Sequence, residues 1–69
     1  MKQYWPMCKH IYYGKEETQW TYDSCLTMDK AIDVIRRWAK DWKYNITSAW
    51  VDVVDGDERS KIELDVSTL

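Results

Sequence analysis

From Met28 to Lys43 the apolar residues recur with the spacing of an α-helix, and in no other stretch of the 69-residue chain do they. At about 100° per residue, Met28, Ala31, Ile32, Val34, Ile35, Trp38, Ala39 and Trp42 fall on one continuous face, and the charged residues fall on the other. Thr27 stands where a hydroxyl can accept from a free N–H of the first turn. Asp29 in the first turn and Lys40 and Lys43 in the last suit the helix dipole. Asp33–Arg37 and Arg37–Asp41 are pairs of opposite sign one turn apart on the outer face. A helix with so wide an apolar stripe must bury it against another layer. Ile32, Ile35, Trp38, Ala39 and Trp42 are the residues expected to go inside.

That layer must come from the flanking segments, which change period from 3.6 to 2. In Ile46 to Asp55, Ala49, Val51 and Val53 alternate with Ser48, Trp50, Asp52 and Val54, and β-branched residues are enriched. Asp55 to Arg59 reads as a turn around Gly56. From Lys61 to Val66, Ile62, Leu64 and Val66 alternate with Lys61, Glu63 and Asp65, which completes a hairpin. Upstream, Lys9 to Tyr13 and Thr18 to Ser24 are aromatic-rich segments flanking Gly14-Lys15-Glu16-Glu17. With those four residues as the loop, Tyr13 faces Thr18 and Ile11 faces Trp20. One side of this hairpin then carries Ile11, Tyr13, Trp20 and Tyr22. The other carries Cys8, His10, Tyr12, Gln19, Thr21 and Asp23.

The expected fold class is therefore α+β: a hairpin, a helix and a second hairpin in ββαββ order, with one four-stranded sheet and one helix packed on it. β-grasp domains share this order. Residues 1–69 are expected to form one domain, because a chain of this length has room for a single core and buries only roughly 60% of its unfolded surface. Five Trp and five Tyr, with no Phe, supply large side chains that keep a polar handle and suit half-buried or interfacial positions.

Composition narrows the function classes. Ten basic and twelve acidic residues leave a net charge of −2, unlike the strongly basic balance of a protein that grips nucleic acid by bulk charge. No leader-like apolar run opens the chain, and no stretch approaches the roughly 20 apolar residues of a membrane span. A cytoplasmic protein with free thiols is expected, since two cysteines are too few for a disulfide framework.

Catalytic and metal chemistry find little to work with. His10 is the single histidine, and Cys8-Lys9-His10 places a thiol and an imidazole on one strand face, with Asp23 and Cys25 imaginable beside them. The spacing matches no usual zinc knuckle, and a flat sheet face is a poor place to close a tetrahedron. Asp52, Asp55, Asp57 and Glu58 surround Gly56 without the ligand spacing of a calcium loop. No glycine-rich phosphate loop exists. The expectation is no enzyme, no metal and no cofactor.

Binding remains. A helix can cover only one sheet face, and the opposite face is expected to hold Trp50 with Tyr12, His10 and Val54, with Tyr4 and Trp5 added just before the first strand. Trp and Tyr are enriched at binding hot spots, and a contiguous exposed apolar patch on so small a domain marks an interaction site. Replacing Trp50 with Ala is then expected to spare stability and weaken association. The reading that follows is a non-enzymatic protein-binding module, a small inhibitor or adaptor of the kind carried by phages and mobile elements. Two alternatives stand beside it. One is a nucleic-acid-binding domain that uses the helix row of Arg36, Lys40 and Lys43 with the sheet aromatics. The other is a self-associating homodimer. Charge segregates along the chain: Met28 to Lys43 carries five basic against three acidic residues, and Val51 to Leu69 six acidic against two basic. An acidic hairpin favours a basic partner.

Overall fold

The computed structural model describes residues 1–41 and 45–69. Four strands and one helix follow in the order β1 (Lys2–Tyr12), β2 (Lys15–Trp20), α1 (Met28–Asp41), β3 (Ile46–Asp55) and β4 (Glu58–Leu64), with a short 3-10 turn at Val66–Thr68. The strands form a single sheet in the order β2-β1-β3-β4, and every neighbouring pair is antiparallel. β2 and β3 thus run parallel with β1 between them, and α1 connects them. This is the expected ββαββ α+β fold.

The helix follows its sequence signals closely. The Lys30 N–H donates to the Thr27 hydroxyl at 3.2 Å, so Thr27 is the cap. Ala31 and Ile35 are fully buried, while Ile32, Trp38 and Ala39 are half-buried. Trp42 and Lys43, which the sequence places in the last turn, lie outside the described residues. On the outer face the ion pair that forms is Arg36 with Asp33 at 3.5 Å, three residues apart, and not the Arg37 pairs expected at a spacing of four. The helix packs on Cys8, Ala49, Val51 and Val53, and Tyr4, Cys25, Leu64, Val66 and Leu69 close the rim of that core.

Both hairpins turn more tightly than expected. Tyr12 pairs with Lys15, so the first loop is the two residues Tyr13 and Gly14, at φ 50° and 77°. Two successive positive φ values are the signature of a type I′ turn, whose twist matches that of the flanking strands. Ile11 consequently faces Glu16 and not Trp20, a slip of four residues from the expected register. An even slip leaves side chains on the same faces, so the predicted grouping of Ile11 with Trp20 survives. In the second hairpin Asp55 pairs with Glu58 across Gly56 and Asp57, with Gly56 at φ 62°, so the turn is two residues and not five.

The first strand is also longer than expected, and Tyr4 and Trp5 lie inside it. Proline reads as a strand breaker because it cannot donate to the ladder, yet Pro6 sits in a central strand. Backbone direction explains this. The Tyr4 N–H donates to the Cys25 carbonyl on the edge of β1 away from β3, and Cys25 N–H donates back. Alternation puts the position-6 N–H on that same edge. There β2 has already ended, with Trp20 opposite Met7, and the Cys25 bridge has not begun. The missing donor falls in the gap between the two.

One irregularity matters for the core. Lys9 opposes Ser48 but His10 opposes Ile46, so Thr47 is an extra residue on β3. Strict alternation would place Ile46 with Trp50 and Val54; the bulge returns it to the helix side, where it joins the buried cluster. The Thr47 hydroxyl lies 3.3 Å from the Lys9 carbonyl oxygen and 3.0 Å from Glu16 Oε2, and its one proton can be donated to either.

Candidate functional site: the uncovered sheet face

The face of the sheet opposite α1 follows from the register. Ala49, Val51 and Val53 pack under the helix, so Trp50, Asp52 and Val54 point the other way. Their partners on β1 are Met7, Trp5 and Gln3, and on β4 they are Glu63, Lys61 and Arg59. Trp20 ends β2 opposite Met7 and points to this same side.

Beyond Trp20 the chain turns away. The Thr21 hydroxyl donates to the Asp23 carbonyl at 2.8 Å, and the chain then runs to the Cys25 bridge. That bend leaves Tyr22 standing against Trp20, edge to face, with ring centroids 4.9 Å apart and planes at 71°. The result is an open cleft of about 720 Å³. Its walls are Trp5 and Met7 from β1, Trp20 and Tyr22 from the end of β2, and Val54 from β3, with Asp52 and Arg59 as charged groups. Trp20 is 50% exposed and Tyr22 86%, so the rings present their surface to solvent.

The four sequence-predicted site residues divide between the faces. Trp50 and Val54 are on the uncovered face as expected. His10 is not: it shares its side with Cys8 and opposes Ile46, and is 6% exposed at the edge of the helix-side layer. Tyr12 shares that side at the hairpin end, exposed, with its ring 6.5 Å from His10 and 4.4 Å from Tyr13. The reason is the phase of β1. Pro6 and Cys8 are the small residues that fit beneath a helix, and they carry every even position of the strand with them, His10 and Tyr12 included. Trp50 needs a second correction. It points away from the helix but is only 9% exposed, and Lys61 lies over its ring, with Nζ 4.5 Å from the centroid. It is the floor of the face and not its exposed surface, so its truncation is expected to reach stability.

Arg36 and Lys40 are exposed on the outer side of α1, on the far side of the molecule from the cleft; Lys43 is outside the described residues. Trp5 lies on this face as expected, whereas Tyr4, expected beside it, packs against the helix-side core; the residues missed by sequence reasoning are Met7, Trp20 and Tyr22. Two signals could have found them. Tyr13-Gly14 is a two-residue turn dipeptide, and Trp5 and Met7 are large residues in the opposite phase to small Pro6 and Cys8.

The nucleophile candidates lie elsewhere. Cys8 has no exposed surface, and burial pushes its thiol up to about 11 against a backbone hydrogen bond with Gln19 that lowers it. Cys8 and Cys25 are both free thiols. Among the described residues, no three His, Cys, Asp or Glu side chains converge as a metal site. No helix among them is long and apolar enough to cross a membrane. Set against protein-family models, curated proteins and solved structures, the chain matches none.

Proposed function

We propose that this chain is a non-enzymatic protein-binding module whose contact surface is the aromatic cleft of the uncovered sheet face. The observation that carries the reading is the cleft itself: two tryptophans, a tyrosine, a methionine and a valine around about 720 Å³ of open space on a 69-residue domain. Aromatic side chains of this kind are enriched among the residues that dominate binding energy. The ionisable groups along its walls are Asp52, Arg59 and Tyr22, whereas the histidine and the buried thiol belong to the other face.

The occupant that fits is an apolar segment of another protein with a basic rim. Apolar side chains would enter between Trp5, Trp20 and Tyr22, and basic groups would meet the β3–β4 hairpin, where acidic residues outnumber basic ones. A small inhibitor or adaptor of the kind carried by phages and mobile elements is the biological setting that suits such a domain. The nucleic-acid alternative is less favoured because its two halves face opposite ways. Arg36 and Lys40 lie outside the helix, and the aromatics lie beneath the sheet. One strand of nucleic acid cannot reach both.

The test is affinity capture from the native host with the wild-type chain and with Trp20→Ala and Tyr22→Ala. Each substitution should weaken capture of a specific protein by about thirtyfold, equivalent to about 2 kcal/mol, with an unchanged melting temperature. Capture that is unaffected by both variants, or a bound species removed by nuclease, would overturn the reading.

A further inference from the structure

We propose that β4 is a self-pairing edge, along which two copies of this chain join their sheets into one continuous eight-stranded sheet. This is independent of the cleft.

The backbone directions follow from the Tyr4–Cys25 bridge. Tyr4 points away from β3, so Gln3, Trp5 and Met7 point towards it, and their partners Val54, Asp52 and Trp50 point back. Val53, Val51 and Ala49 therefore point towards β4 and pair with Ser60, Ile62 and Leu64. The N–H and C=O groups of Arg59, Lys61 and Glu63 are left facing outward along the free edge of the sheet. A row of outward backbone groups is a template for another strand, and proteins normally blunt it with charge.

The charges on β4 have a particular order. Lys61 and Glu63 flank Ile62 and form an exposed ion pair within the chain at 3.7 Å, which pairing with a second copy would exchange for inter-chain pairs. If a second β4 pairs antiparallel about a two-fold axis through Ile62, Lys61 opposes Glu63 of the other copy, and Glu63 opposes its Lys61. Both residues point outward, so these positions form the hydrogen-bonded pairs, and Ile62 meets its own copy at the closer, non-hydrogen-bonded position. Shifting the axis to Lys61 or to Glu63 sets that residue against its own copy, a like pair that offsets the Arg59–Glu63 or Lys61–Asp65 pairs these registers also make, whereas the Ile62 axis opposes only unlike charges, Lys61 with Glu63 and Arg59 with Asp65. The pattern that repels an arbitrary strand thus matches its own copy in one register. Ile62 supports the same axis. It lies on the helix side opposite Val51 at the sheet edge, yet is 43% exposed. Two-fold pairing would lay the two Ile62 side chains against each other. It would also place both aromatic clefts on one face, which makes the dimer bivalent.

The experiment is sedimentation of the purified chain across concentration, with four variants. The wild type should approach twice its 8.4 kDa mass as concentration rises. Lys61→Glu and Glu63→Lys should each weaken association roughly tenfold, and the double exchange should restore it. Lys61→Pro removes an outward N–H and should abolish association while the chain still melts cooperatively. Ile62→Cys should form an inter-chain disulfide on oxidation. A chain that stays at monomer mass at millimolar concentration overturns the proposal. So does a dimer that survives Lys61→Pro and is not cross-linked through Ile62→Cys. A dimer lost in Trp20→Ala but kept in Lys61→Pro would assign association to the cleft instead and also overturn it. Loss of host-protein capture with the dimer intact would leave it standing.

Discussion

Lys61 holds its ammonium 4.5 Å from the centroid of the Trp50 ring, on the neighbouring strand and on the face that the helix leaves uncovered. On the open side of the sheet the lysine thus lies over a tryptophan that its cross-strand neighbours Met7 and Glu63 flank. Trp50→Ala should therefore lower stability by about 3 kcal/mol or more, as truncating a buried tryptophan does. Lys61→Ala should cost only about 0.5–1 kcal/mol, the worth of a cation held over a ring near the surface. Urea melts of both variants check this. Equal effects would mean that other side chains bury Trp50.

The helix face gives a sharper contrast. Ile35 is fully buried, while Arg37, two residues on, is exposed. Ile35→Ala should cost about 2–5 kcal/mol, a large share of the stability of so small a domain. Arg37→Ala should cost about 0.5 kcal/mol or less. Chemical denaturation followed by far-UV circular dichroism separates the two.

Tyr13 holds φ at 50°, a left-handed conformation that costs a residue with a β-carbon about 1–2 kcal/mol. The side chain is exposed, and what replacing it loses is the edge contact with the Tyr12 ring, weakened by its exposure to water. Tyr13→Asn should raise stability by about 0.5–1 kcal/mol, because asparagine tolerates this conformation and the type I′ turn favours Asn-Gly. Gly14→Ala should lower it. Thermal melts of both report the sign directly.

Cys8 and Cys25 should behave as two different thiols. Cys25, only half-buried, should react with a thiol reagent in the folded protein, and Cys8 only after unfolding. Burial holds the Cys8 thiol neutral up to about 11, above its ordinary value of 9.0. Above pH 9.0 the unfolded chain loses this proton before the folded one does. Stability from this group is therefore fully present below pH 9 and falls as pH rises towards 11. Cys8→Ala should flatten that part of the profile, as read from denaturation midpoints across the range.

The sequence by itself determined the helix, its cap and its buried face, because a period of 3.6 over Met28 to Asp41 has one meaning and Thr27 marks its start. It also determined the alternation of β3, which groups Ala49, Val51 and Val53 on one side and Trp50, Asp52 and Val54 on the other. It did not determine which side of the first hairpin lies under that helix. Alternation groups Cys8 with His10 and Trp5 with Met7, but it does not say which group faces inward. That choice depends on which set fits beneath Ala31 and Ile35, a matter of volume between elements distant in sequence. Small Pro6 and Cys8 went under the helix, and bulky Trp5, Met7 and Trp20 were left on the open face, where with Tyr22 they wall the cleft. Tertiary structure also decided the fate of Pro6, since a missing N–H costs nothing only where no neighbouring strand reaches it. The bulge at Thr47 was likewise beyond local reading. One unpaired residue returns Ile46 to the core, and only the pairing of β1 with β3 shows where it falls.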